Sequence, residues 1–199
     1  MAGRFMEIAL TDSVRAAQEQ YYGKPQRIPA AEASDPLTED EIQFIRQRDS
    51  FYMATVNEEG WPFIQHRGGQ AGFLKVISPG SLAFADYKGN RQMLSTGNIS
   101  KNPKVSLFLM DYPGRTRLKI IGKARVVDIR DEPDLTVQLA EPEMRSLVER
   151  AFFIEVVSYD WNCPKYITPR YTSSEIEELI LPLKRRITEL ENLLSRKKS

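Results

Sequence analysis

The spacing of hydrophobic residues changes rhythm along this chain. Residues 11–22, TDSVRAAQEQYY, read as a short helix capped by Thr11 or Asp12. Residues 23–36 are rich in proline and small residues and read as a linker. Thr38 with Glu41 three positions on forms a capping box, and Ile42, Phe44 and Ile45 then mark one buried helical face. From residue 50 the rhythm becomes that of strands. Branched and aromatic runs at 50–56, 61–67, 73–77, 81–86, 104–111, 116–128 and 150–161 are separated by turn signals such as NEEG, SPG and YPGR. A helical segment over about 91–101 is stopped by Asn102-Pro103. Gly122 inside a long strand predicts a bulge or a barrel corner. Residues 131–149 predict one or two short helices broken at Pro142. The helical period returns at the C-terminus, where Ile176, Leu179, Ile180, Leu183, Ile187, Leu190 and Leu194 form a stripe that Pro182 should kink or divide.

Many short strands joined by hairpins predict a mainly β fold with peripheral helices, an α+β chain built on a small antiparallel barrel. The strand 104–111, KVSLFLMD, is apolar at nearly every position. Such a strand is covered on both faces, by its own chain or by a second subunit. Three segments follow: 1–37 as N-terminal helix and linker, 38–170 as the barrel, and 171–199 as an amphipathic helix whose stripe could pack on its own dimer or form a coiled coil.

Composition narrows the chemistry. The chain has 199 residues, 41% hydrophobic and 28% charged, with a formal net charge of +1. No global field favours nucleic acid or an anionic membrane. The first twenty residues lack the apolar core of a signal peptide, and no run is long enough for a membrane helix, so a cytoplasmic protein is expected. His66 and Cys163 are each the sole residue of their type, which leaves no multi-ligand zinc site and no internal disulfide. No G-x-S-x-G elbow supports a serine hydrolase.

What remains is a cluster of cations, amides and hydroxyls around the stretch FADYKGNRQMLSTGNIS. Arg67 ends a strand beside Gly68-Gly69, Lys75 lies in the next strand, and Arg91 follows KGN at the expected helix start after Asn90. Arginine grips phosphate oxygens with a planar fork, and lysine adds a compact charge. A helix start adds free N–H groups and a favourable dipole. Ser95, Thr96 and Asn98 could supply further hydrogen bonds. The plainer reading of each residue alone is a solvated barrel-edge or loop position. His66 could donate a proton near a ligand or simply bond to backbone. Cys163 could be a redox thiol or a small packing residue.

These segments, in this order, resemble the pyridoxamine 5′-phosphate oxidase-like family of FMN-binding split barrels. SFYMATVNEEGWPFIQHRGG is similar to its opening hairpin. SLAFADYKGNRQMLSTGNISKNPKVSLFLMD is similar to its strand, flavin-phosphate loop, helix and next strand, and RLKIIGKARVV to its long strand. The tail YDWNCPKYITPRY resembles that of a bacterial subgroup. The resemblance implies a homodimer with FMN at the subunit interface. It implies that Arg67, Lys75, Arg91 and Gln92 hold the phosphate and ribityl chain, and that Ala85 and Asp86 line the flavin. Ser95 and Asn98 would be lesser contacts. Arg117 would reach the flavin from the second subunit, although an amide is usual there, and Gln92 stands where a lysine is common. Trp161 would touch the flavin ring, its alternative being a plug at the end of the barrel, and His66 is the candidate proton donor near the flavin. The Arg-x-His tail that holds pyridoxal phosphate in the oxidases proper is absent, so that activity is not expected. The resulting expectation is an FMN-dependent oxidoreductase acting on a small redox substrate. The alternatives are a non-catalytic flavin-binding or sensing module, or the same barrel carrying a deazaflavin or haem.

Overall fold

The computed structural model describes residues 3–27, 35–161 and 164–198. Residues 28–34 of the expected linker, and Cys163, lie outside the described residues. A helix that the sequence pattern did not announce, α1 (Gly3–Ala9), opens the chain, and α2 (Asp12–Tyr22) follows. α2 begins at Thr11 and ends at Gly23, whose φ of 74° suits glycine. Then come α3 (Glu39–Arg46), β1 (Ser50–Val56), β2 (Pro62–Gly68), β3 (Lys75–Ser78), β4 (Ser81–Tyr87), α4 (Leu94–Lys101), β5 (Lys104–Asp111) and β6 (Thr116–Asp128). α5 (Pro133–Gln138), a 3-10 turn (Pro142–Leu147), β7 (Val148–Trp161) and α6 (Ser173–Lys198) complete it.

All seven strands form one antiparallel sheet in the order β2-β1-β5-β6-β7-β4-β3. No ladder joins β2 to β3 among the described residues, so the barrel is split along those edges. The sheet curls enough that Arg67 on β2 reaches Asp86 on β4. The interior follows from strand alternation. Phe51 and Met53 of β1, Leu107 and Leu109 of β5, Leu118 and Ile120 of β6, and Phe152 and Ile154 of β7 share one buried cluster. Phe84 stacks on Phe152 at 4.9 Å and meets Phe51 edge-on at 5.4 Å. Each such side chain contributes about 1.5–3 kcal/mol by leaving water.

The outward residues of β1, β2 and β5 are not polar as on an ordinary solvated face. Tyr52 and Ile64 are exposed, and Phe108 and Met110 are half-buried. Gly122 sits at the expected bulge, where the β6–β7 register shifts. One expectation is corrected. α4 starts at Leu94 rather than at Arg91, because Arg91 and Met93 adopt left-handed backbone at φ 61° and 58°. Of the two outcomes expected at Pro182, division does not occur: α6 is one helix of 26 residues through it.

α3 is fastened to the barrel by its capping carboxylate. The Thr38 N–H donates to Glu41 at 2.8 Å, the Thr38 hydroxyl donates to the same oxygen, and Trp161 Nε1 donates to the other. Burial pushes the Glu41 carboxyl up, but hydrogen bonds from Thr38, Trp161 and Tyr159 together outweigh it and hold it below its ordinary 4.5. A depressed folded-state value means this stability is complete above the unfolded value and is lost as pH falls through the folded one. The melting temperature of the wild type should therefore drop more steeply than that of Glu41→Gln as pH falls below the ordinary value of 4.5. Parallel acid limbs would show that Glu41 carries no such linkage.

Candidate functional site

The residues that alternate inward on β2 are Phe63, Gln65 and Arg67. With the end of β4, the loop 89–93 and the first turn of α4 they line a cavity of about 270 Å³. Its polar lining includes Arg67, Asp86, Asn90, Arg91, Gln92 and Ser95 from the sequence reading. It also includes Arg150, which that reading missed.

Arg67 is the centre of the site. It extends over the barrel aromatics, its guanidinium 5.0 Å from the Phe152 ring and 5.5 Å from that of Phe84. Nη1 donates to Asp86 at 2.6 Å, while Nε is buried without a partner. Asp86 also accepts from Arg150 at 3.0 Å, and Arg150 in turn pairs with Glu149 at 2.7 Å. A single carboxylate thus lies between two largely buried guanidinium groups. Burial pushes the Arg67 guanidinium down, Asp86 pulls it up, and Arg150 pushes it down again, with a net lowering. The guanidinium stays charged at any ordinary pH, and burial is the main cause of its lowering. Arg67, Arg91 and Arg150 together give the cavity wall a set of donors for an anion.

The loop after β4 completes the cavity. Asn90 accepts the Gln92 N–H at 3.2 Å, which folds the loop back on itself. Arg91 and Met93 hold left-handed conformations that cost non-glycine residues about 1–3 kcal/mol each and that cluster at binding sites. α4 then starts with no side-chain cap on its first turn, and Leu94, Ser95 and Thr96 of that turn line the cavity. The positive end of the helix dipole therefore borders the cavity. Ser95 is buried and donates to Gln65 at 2.9 Å. Tyr87, also in the lining, has its phenol pushed up by burial, with Glu141 nearby.

Other residues from the sequence reading lie elsewhere in the chain. His66 adjoins Arg67 on a strand and so faces the opposite side, edge-on to Tyr52 at 5.5 Å. Lys75 pairs with Glu141 at 3.0 Å. Ala85 packs with Leu139, Ala140, Val148 and Ala151. Asn98 donates to Thr55 at 2.9 Å. Arg117 lies on the outer face near the Phe108 ring at 5.9 Å, with its buried Nε unpartnered. Trp161 closes the barrel end, edge-on to Phe44 at 4.8 Å and bonded to Glu41. Among the described residues no cluster of His, Cys, Asp and Glu could hold a metal, and no helix is long and apolar enough to cross a membrane.

The fold and the cavity can be set beside known proteins. A single-substitution variant of HupZ from Group A Streptococcus superposes with a TM-score of 0.53 at 15% identity, covering 63% of this chain and 99% of its own. HupZ without that substitution gives 0.52 at 13% identity, covering 68% and 100%. A putative pyridoxamine 5′-phosphate oxidase from Lactobacillus delbrueckii gives 0.49 at 21% identity, covering 63% and 93%. At these identities the HupZ likenesses speak for the fold alone. A comparison with curated proteins finds no match. The sequence profile described as pyridoxamine 5′-phosphate oxidase matches residues 37–153, from the start of α3 into the last strand and across the whole cavity. On that match, which spans more than half of its length, this chain belongs to the pyridoxamine 5′-phosphate oxidase family.

Proposed function

We propose that the chain binds FMN through the Arg67 cavity and acts as a flavin-dependent oxidoreductase on a small-molecule substrate. The observation that carries this reading is the buried Arg67, its Nε unpartnered, beside Arg150 on the wall of one cavity. A phosphate monoester fits a pocket lined by these guanidinium groups. Arg67 and Arg150 would hold its oxygens, with Arg91, Gln92, Ser95 and the first-turn N–H groups of α4 as further donors. Asp86 holds both guanidinium groups in place for this task. FMN, when bound, supplies the hydride and electron chemistry, and the chain supplies binding, orientation and electrostatics. No side chain is then required as a nucleophile.

A homodimer is part of this proposal. Tyr52, Ile64, Phe108 and Met110 give the outer face an apolar surface that a second copy would cover. Arg117 lies on that same outer face with an unpaired Nε, which suits a donor to the partner's site. The expected localisation is cytoplasmic.

The test is the absorption spectrum of the purified protein with and without NADH or NADPH. Bound flavin that is bleached by the nicotinamide and recovers with an acceptor supports the enzyme. Bound flavin that neither nicotinamide reduces points to a binding or sensing module. A protein that takes up a deazaflavin or haem but no FMN overturns the reading.

A further inference from the structure

Helix α6 leaves its apolar residues uncovered: Ile176, Leu183, Ile187, Leu190 and Leu194 are all exposed. In folded proteins, helix stability comes mostly from packing of an apolar face, and an interior proline costs a helix about 3 kcal/mol. α6 runs 26 residues through Pro182 all the same. Its spacing says what could cover it. Ile176, Ile180, Leu183, Ile187, Leu190 and Leu194 advance in alternating steps of four and three. That is the 3.5-residue repeat of a coiled-coil seam, with exposed Leu179 and Leu193 beside it at positions g.

We propose that α6 pairs with α6 of a second copy of this chain as a parallel, in-register, two-stranded coiled coil. In the two central heptads Ile180 and Ile187 fall at positions a, and Leu183 and Leu190 at positions d, while the ends are reversed, with Ile176 at d and Leu194 at a. Branched residues at a with leucine at d favour two parallel strands. Charge points the same way. In the parallel register, Arg186 at g meets Glu191 at e of the second copy, twice by symmetry. The antiparallel register that keeps the same layers sets Lys184 against Lys184, Arg186 against Arg186 and Glu177 against Glu191. Pro182 takes position c, away from the seam. Within one chain Arg186 bonds Glu189 at 3.0 Å, but both side chains are exposed, so the pair is weak and free to exchange.

The test uses the full-length chain with Cys163→Ser and Leu190→Cys, since equivalent d side chains face each other only in the parallel register. Mild oxidation at micromolar concentration should give an interchain disulfide at position 190, seen on a non-reducing gel. Adding Arg186→Glu should slow its formation roughly tenfold, because two attractions become two repulsions. Combining Arg186→Glu with Glu191→Arg should restore it. No disulfide in a protein whose melting curve shows a folded barrel overturns the parallel, in-register coiled coil. Disulfide formation that ignores both charge changes overturns the pairing of Arg186 with Glu191 of the second copy. FMN titration of the same proteins reads the barrel separately, so failure of the helix pairing and failure of the flavin site are distinguishable.

Discussion

Replacing Arg67 by methionine should weaken FMN binding at least about tenfold, because a charge-assisted hydrogen bond is worth roughly 1.5–3 kcal/mol. The environment of Arg67 argues for the upper part of that range. Its guanidinium is largely buried against Phe84 and Phe152, where water cannot take over the phosphate contact. Methionine retains packing over the rings, and Asp86 retains Arg150 as a partner, so the barrel should remain folded. Arg150→Met should cost a comparable factor, since that side chain is equally buried and lines the same cavity. Arg91→Ala should cost less, because Arg91 is exposed and water can replace it. Titration of the apoproteins with FMN, followed by quenching of flavin fluorescence, gives all three values. Riboflavin, which lacks the phosphate, should bind wild type and Arg67→Met alike. If Arg67→Met and Arg150→Met both bind FMN as wild type does, the phosphate does not sit at this cavity.

Much of the fold was legible because strands declare themselves by alternation and by the turns between them. β1, β5 and β6 have the bounds that the pattern assigned, and the bulge at Gly122 is where a glycine interrupts the long strand. The capping box of α3 was equally local. The site was less legible, for reasons particular to each residue. Arg150 meets Asp86 only because β4 pairs with β7 in one register, and nothing local links positions that lie so far apart in the chain. The start of α4 was read too early because propensity does not reveal that Arg91 and Met93 take left-handed backbone. His66 is a different case. Strand alternation alone places it opposite Arg67, so the two could not both enter one cavity of the same chain. Arg117 and Trp161 stand apart from the cavity of their own chain, and a role for them at the flavin requires the proposed partner.

Two glycines inside regular elements should respond to the same substitution in opposite directions. A Cβ added to Gly122 would lie 2.5 Å from the Glu155 carbonyl oxygen and 2.8 Å from Ile154 Cγ2. Neither neighbour yields cheaply: one is backbone of the paired strand, and the other is a side chain buried in the core. Gly122→Ala must therefore push β6 away from β7 at the bulge. Overpacking of this kind costs about 1–3 kcal/mol and occasionally more, and a backbone clash belongs at the upper end. Since each kcal/mol is worth about 2–4 °C in a chain of this size, the melting temperature should fall by roughly 6–12 °C. A methyl group added to Gly97 in α4 would meet nothing within 4 Å, and the backbone there has no positive φ. Gly97→Ala removes the entropy cost of a mid-helix glycine and should stabilise by about 0.5–1 kcal/mol. Gly97 is not in the cavity lining, so FMN affinity should be unchanged in that variant. Thermal melts of the two variants beside wild type decide the matter. A Gly122→Ala protein as stable as wild type would mean that β6 and β7 do not approach this closely at the bulge.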